Sequence, residues 1–279
     1  MIGSLERQYL NGGSKQAAAI VASHQFERKT MIYRRISGTV LAALLISTPA
    51  VAEHHKSPGY GTDNGPEKWG QLSDKYALCE SGDMQSPIDL AGANAKGNVA
   101  LAVNYQSGPL TVSNKGLTIQ ADFAAGSSMT SGGMTFNLIQ IHFHTPSEHA
   151  ISGKRYPLTG HFVHATEGGK LGVLGVMFET GAANAELAKI LAAAPTTKSE
   201  PATVAGQTID PNGMLPTDRS IYRYMGSLTT PPCSEGVNWH VLKNPITASA
   251  EQIAAFEALM GDSARPVRAL NNRLVVAPE

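Results

Sequence analysis

Five of the nine histidines in this 279-residue chain fall between Ile141 and His164, in the run IHFHTPSEHAISGKRYPLTGHFVH. His142 and His144 are two residues apart, so on a β-strand both project from one face. His161 opens a second short apolar run, His161-Phe162-Val163-His164. If that run is a neighbouring strand, three imidazoles can meet at one point. Three neutral ring nitrogens with a fourth position open are the ligand set of a catalytic zinc site. Parity sorts the rest. His164 points away from the face shared by His161 and Val163 and reads as a packed, hydrogen-bonded histidine. His149 follows the Thr145-Pro146-Ser147 turn, outside the H-x-H pair, and reads as a donor or acceptor behind the ligands. Zinc-bound histidines need their free ring nitrogen held, which fixes tautomer and aim. Gln140, on the face of His142, can do this, and Glu148 is close enough in sequence to orient a group at the metal.

The elements that must position these residues are mostly strands. Short β-like runs fill positions 99–178: VALAVNY, LTVSN, LTIQADF, MTFNLIQIHFH, HFVHAT and LGVLGVMFE. Ser107-Gly108-Pro109, Gly132-Gly133 and Gly168-Gly169 punctuate them. Such spacing predicts a mainly antiparallel sheet. Two segments predict helices instead: ANAELAKILAAA (183–194), and SAEQIAAFEALM, where Ser249 and Gln252 stand in capping-box spacing. The stretch 195–220 reads as loop, and 53–70, rich in Gly, His and Pro, as an extended arm. The fold class is therefore mainly β, one domain with a large sheet and a few peripheral helices.

The N-terminus reads as a targeting segment. Arg34 and Arg35 form a positive start, Ile36 to Ile46 an apolar stretch too short to span a bilayer, and Ala50-Val51-Ala52 a cleavage site. Residues 31–52 are thus expected to be a secretory signal, residues 1–30 an unstructured upstream extension, and 53–279 the working domain. That domain carries four more acidic than basic side chains. With no Lys/Arg cluster, nothing points to nucleic acid. Export implies an oxidising compartment, periplasmic or secreted, in which Cys79 and Cys233 are expected to pair. No membrane insertion is expected after signal removal.

The motifs QIHFHTPSEH, YPLTGHFVH and YRYMGSLTTPPCSEG strongly resemble the bacterial, secreted α-class carbonic anhydrases. YGTDNGPEKWGQLSDKYALC, QSPIDL, LGVLGVMFE and RPVRALNNR extend the resemblance over residues 57–276, in family order. It implies a twisted, mostly antiparallel sheet of about ten strands with zinc at the base of a conical cleft. It also implies reversible hydration of CO2 to bicarbonate and a proton through zinc-bound hydroxide, by a monomer or homodimer. His142, His144 and His161 match the zinc ligands. Thr229 matches the gatekeeper that accepts a hydrogen bond from the hydroxide and donates one to Glu148. Thr230 matches a solvent and bicarbonate contact, and Val163, Val173, Leu228, Val237 and Trp239 match the apolar pocket for the gas.

Three departures stand out. The family's proton-shuttle histidine is replaced by Leu117, in SNKGLTIQADF, with Lys115 nearby. Where the family has a carboxylate behind the third ligand, this chain has Thr159, a weaker partner. Ala264 and Arg268 replace common polar residues, and nothing explains them. Two other readings compete with this one. His142-x-His144 followed by Glu148 partly matches a cupin metal site, but Phe136 stands where the cupin glycine belongs and SLTTPP has no cupin counterpart. A non-catalytic binding module on the same fold would have lost zinc ligands, and all three are present. His54 and His55 offer a further, incidental metal-binding pair.

Overall fold

The computed structural model describes residues 56–279. The expected signal segment, the extension before it, and His54 and His55 lie outside the described residues. Thirteen strands form one mixed sheet. They are β1 (Ala95–Lys96), β2 (Leu101–Asn104), β3 (Gly108–Asn114), β4 (Ile119–Asp122), β5 (Ser128–Ser131), β6 (Met134–His144) and β7 (Leu158–Ala165). The remainder are β8 (Leu171–Thr180), β9 (Ala202–Ile209), β10 (Ile221–Ser227), β11 (Glu235–Leu242), β12 (Ile246–Ala248) and β13 (Val275–Ala277). Ten of them run in the continuous order β1-β13-β10-β11-β8-β7-β6-β4-β3-β9, while β12 joins β8, and β5 joins both β2 and β6. Pairing is antiparallel except for β1–β13, β11–β8 and β12–β8.

Both faces of the central strands are covered, so β8 reads as a continuous apolar run rather than an alternating one. One face carries Phe136, Ile141, Phe143, Phe162, Leu174 and Phe178, together with Ile253 and Phe256. The last two come from helix α4 (Ala250–Met260), whose Ser249–Gln252 capping box is present. Helix α3 (Ala185–Ala193) adds Leu187 and Ile190 to the same core. Burying each such side chain is worth about 1.5–3 kcal/mol. The opposite face carries a smaller cluster around Ile88, Leu90, Tyr224 and Trp239.

Two stretches differ from the sequence reading. The expected loop at 195–220 contains β9, an edge strand paired only with β3. Its residues are nearly all exposed and Gly206 interrupts it at φ 72°, so no apolar alternation announces it. The stretch after Lys56 is anchored rather than a free arm. It ends on the short helix α1 (Trp69–Leu72), which precedes α2 (Leu78–Ser81) and whose Trp69 is fully buried and donates to the Gly59 carbonyl.

Candidate active site

β6 places its histidines by changing parity part-way. Phe136 and Leu138 face the helix-covered core, and so do Ile141 and Phe143. The switch from even to odd positions occurs at a register shift between Leu138 and Gln140 in the pairing with β7. A β-bulge of this kind re-aims every side chain beyond it. Gln140, His142 and His144 therefore all project onto the opposite face, and Ile139 is left 44% exposed. Across the ladder, His142 pairs directly with His161 of β7. Gly160, opposite Phe143, leaves room for that ring, since a Cβ there would press on it at 3.3 Å.

One ring nitrogen from each of His142, His144 and His161 lies within 4.8 Å of the others. Each ring is aimed differently. Nδ1 of His142 is hydrogen-bonded to Gln140 Oε1 (2.9 Å), and Nδ1 of His144 donates to the Ser263 carbonyl (2.7 Å). Both rings thus present Nε2 inward. His144 Nε2 is buried with no hydrogen-bond partner, the condition of a nitrogen kept for a metal. Burial, and then the neighbouring His144, hold the His142 and His161 pKa values well below the usual histidine range. Both rings are neutral at pH 7, as ligands must be. The residues present fit a zinc ion.

Glu148 is fully buried beside them. Its Oε2 lies 3.6 Å from His144 Nε2 and 3.7 Å from His161 Nδ1, and has no hydrogen-bond partner. Its Oε1 accepts from the backbone N–H of Arg265 (3.0 Å). Thr229 stands in the turn between β10 and β11, almost fully buried, and makes no hydrogen bond to Glu148. That turn is tied down by the Cys79–Cys233 disulfide and by the Cys233 N–H on the Thr230 carbonyl (2.9 Å). Val173, Val237 and Trp239, with Val163 and Leu228 against them, form part of one apolar cluster. The Trp239 ring packs edge-on against His161 at 4.9 Å, so this cluster borders the imidazoles.

The residues expected behind the ligands divide. Gln140 touches His142, as described. His149 bonds Tyr224 Oη (2.7 Å) and only packs edge-on against His161. Thr159 differs from expectation: its hydroxyl donates to the Val176 carbonyl (3.0 Å), and no hydrogen bond joins it to His161. The outcome is a buried His161 Nε2 with no partner. His164 lies on the far face, donating Nδ1–H to the Phe162 carbonyl and bonded at Nε2 to Tyr105. Leu117 and Lys115 sit in the β3–β4 turn, partly exposed.

The sequence reading missed Ser263, Arg265 and Tyr60. Ser263 and Arg265 act through backbone atoms more than a hundred residues from their partners, so no local motif marks them. Tyr60 is an unpartnered buried hydroxyl whose pKa is pushed up by burial and by the nearby Glu148 carboxylate.

The comparisons agree with this geometry. The family model for eukaryotic-type carbonic anhydrase matches residues 64–279. A carbonic anhydrase of Pectobacterium carotovorum is 40% identical over 86% of this chain and 100% of its own length. The α-carbonic anhydrase structure from Photobacterium profundum is 42% identical, covering 79% of this chain and 100% of that one, with a TM-score of 0.74. That of Thermovibrio ammonificans, solved with the inhibitor sulfanilamide, is 43% identical over 79% and 98%, also with a TM-score of 0.74. A three-histidine cluster on two adjacent central strands, a match along most of the chain and these relatives lead to one assignment: the chain belongs to the α-class, eukaryotic-type carbonic anhydrase family.

Proposed function

We propose that this chain hydrates CO2 reversibly to bicarbonate and a proton, with one Zn2+ held by His142, His144 and His161. The observation that carries the reading is the convergence of three imidazoles beside the free oxygen of Glu148. Zinc in such a site lowers the pKa of its water to about 7, the behaviour for which carbonic anhydrase is the standard example, and so supplies hydroxide at neutral pH.

The rest is the work of the chain. Gln140 and the Ser263 carbonyl hold two rings with Nε2 inward. We assign Glu148 Oε2, to which Thr229 makes no hydrogen bond in this structure, as the acceptor that the Thr229 hydroxyl proton takes during the reaction. A hydroxyl whose own proton is engaged can only accept from the nucleophile, which aims a lone pair at the substrate carbon. Val163, Val173, Leu228, Val237 and Trp239 give uncharged CO2 an apolar seat, and Thr230 a polar contact for bicarbonate. Leu117 cannot relay a proton, so proton release falls to solvent and external buffer. The Cys79–Cys233 bridge supports an exported, periplasmic or secreted location. No helix among the described residues is long and apolar enough to cross a membrane. Metal removal followed by stopped-flow CO2 hydration, with and without added zinc, tests the proposal. Activity that returns with one zinc per chain supports it, and activity indifferent to zinc overturns it.

A further inference from the structure

Residues 262–268 belong to no strand or helix, yet they reach two side chains of the site. The Ser263 carbonyl accepts from His144 Nδ1, and the Arg265 N–H donates to Glu148 Oε1. No sheet ladder fixes this segment. Its backbone is held at Ser263 by the Thr145 carbonyl (2.8 Å) and at Arg268 by the Pro87 carbonyl (2.7 Å). Between those points the Arg265 N–H rests on Glu148 Oε1, Arg155 Nη2 donates to the Arg265 carbonyl (3.0 Å), and one side chain of the segment itself reaches into the fold.

That side chain is Arg265, fully buried. Its Nη1 donates to Gln85 Oε1 (2.9 Å) and to the Ser86 carbonyl (2.8 Å), and its Nη2 donates to the Cys79 carbonyl (2.8 Å). The guanidinium also lies over the Trp69 ring at 5.6 Å. Gln85 carries the connection onward, donating Nε2–H to the Cys233 carbonyl (3.1 Å) and to Glu235 Oε1 (2.9 Å). The carbonyls of both half-cystines are therefore bound by one Arg–Gln pair. A buried guanidinium has given up its hydration, so its rigid fork of donors must find partners in the fold. Here Nη1 and Nη2 find them at the Cys79 carbonyl and in the Gln85–Ser86 segment before Pro87, while Nε has none.

We infer that Arg265 is a positioning residue, which with Gln85 couples His144 and Glu148 to the Cys79–Cys233 disulfide and the Thr229 turn. What the positioned groups do rests on the zinc-hydratase reading above; the network itself does not.

Arg265→Met removes the guanidinium while keeping the backbone N–H and most of the stem. The first readout is zinc release from the holoenzyme into a chelator, which requires no turnover. A His144 ring that has lost its orientation predicts release about tenfold faster, the low end of what groups behind a metal ligand are worth. kcat/KM for CO2 should fall by a similar factor at full zinc occupancy. A role confined to fold stability would lower Tm and leave both unchanged per folded molecule, which would overturn the inference. Coupling is read by combining Arg265→Met with Cys79→Ala/Cys233→Ala. The joint effect on zinc release should fall well short of the product of the separate effects, and a simple product would mean independent sites. If the cysteine variant does not fold, Gln85→Met replaces it in the cycle, since it cuts the same connection. Should zinc release respond as predicted while the parent enzyme fails to hydrate CO2, the proposed function falls and the positioning role stands.

Discussion

His142 and His161 face each other across β6 and β7 with ring centroids 5.3 Å apart, and His144 lies 5.0 Å from each. One cross-strand pair plus one residue two positions along thus closes a nearly equilateral triangle of imidazoles. Sheet geometry brings the rings together, with opposed residues about 5 Å and same-face neighbours about 6.5 Å apart, and the bonds to Gln140 and the Ser263 carbonyl aim two of them. The helices are not involved.

His161 is the loosest corner of that triangle, because its Nε2 is buried and unpartnered while Thr159 is bonded elsewhere. Thr159→Glu would place an acceptor on the same strand face. Zinc loss to a chelator should slow by about tenfold, within the usual range for such partners. Unchanged or faster loss would mean the glutamate does not reach His161 and remains an unpaired buried charge.

His240, on the far face of the sheet, gives a prediction about pH. The ring is fully buried with neither nitrogen hydrogen-bonded. Burial, and then nearby Arg223, lower its pKa from 6.5 to about 4. Between those values the unfolded chain binds a proton that the folded chain refuses. Stability therefore falls as pH drops through that window, by about 1.4 kcal/mol per pH unit. His240→Leu removes this dependence. Relative to the parent protein, it should gain on the order of 2 kcal/mol more at pH 5 than at pH 8 in urea unfolding. Equal shifts at both pH values would show that His240 charges freely in the folded state.

Much of this site was legible because strand parity is a local property. The H-x-H spacing and the run at His161 place three rings together as soon as β6 and β7 are neighbours. The bulge after Leu138 was not legible. Without it Leu138 and His142 would share a face, and the apolar pattern before the histidines would point the wrong way. Nor was the support from Ser263 and Arg265, which reaches His144 and Glu148 through backbone atoms that carry no residue-type signal. Strand β9 was lost for a third reason. An exposed edge strand needs no buried alternation, so its sequence resembles a polar loop.

Leu117 bears on proton release. Hydrocarbon relays no proton, and a positioned acid–base group is typically worth about 10²–10⁴-fold where transfer limits the rate. kcat should rise with imidazole-type buffer while kcat/KM stays nearly flat, and Leu117→His should raise kcat in dilute buffer. Fast turnover of the parent enzyme in dilute buffer, with no gain from the histidine, would assign the relay to another group.

The most direct measurement compares two alanine variants of buried histidines that the sheet separates. His144 belongs to the triangle, while His164 is bonded to Tyr105 and the Phe162 carbonyl on the other face. Zinc stoichiometry and CO2 hydration are measured on both, beside the parent enzyme. His144→Ala is predicted to lose the metal and essentially all hydration, and His164→Ala to keep its zinc despite a cost in stability. Full zinc occupancy and unimpaired hydration in His144→Ala would contradict the assignment of the site.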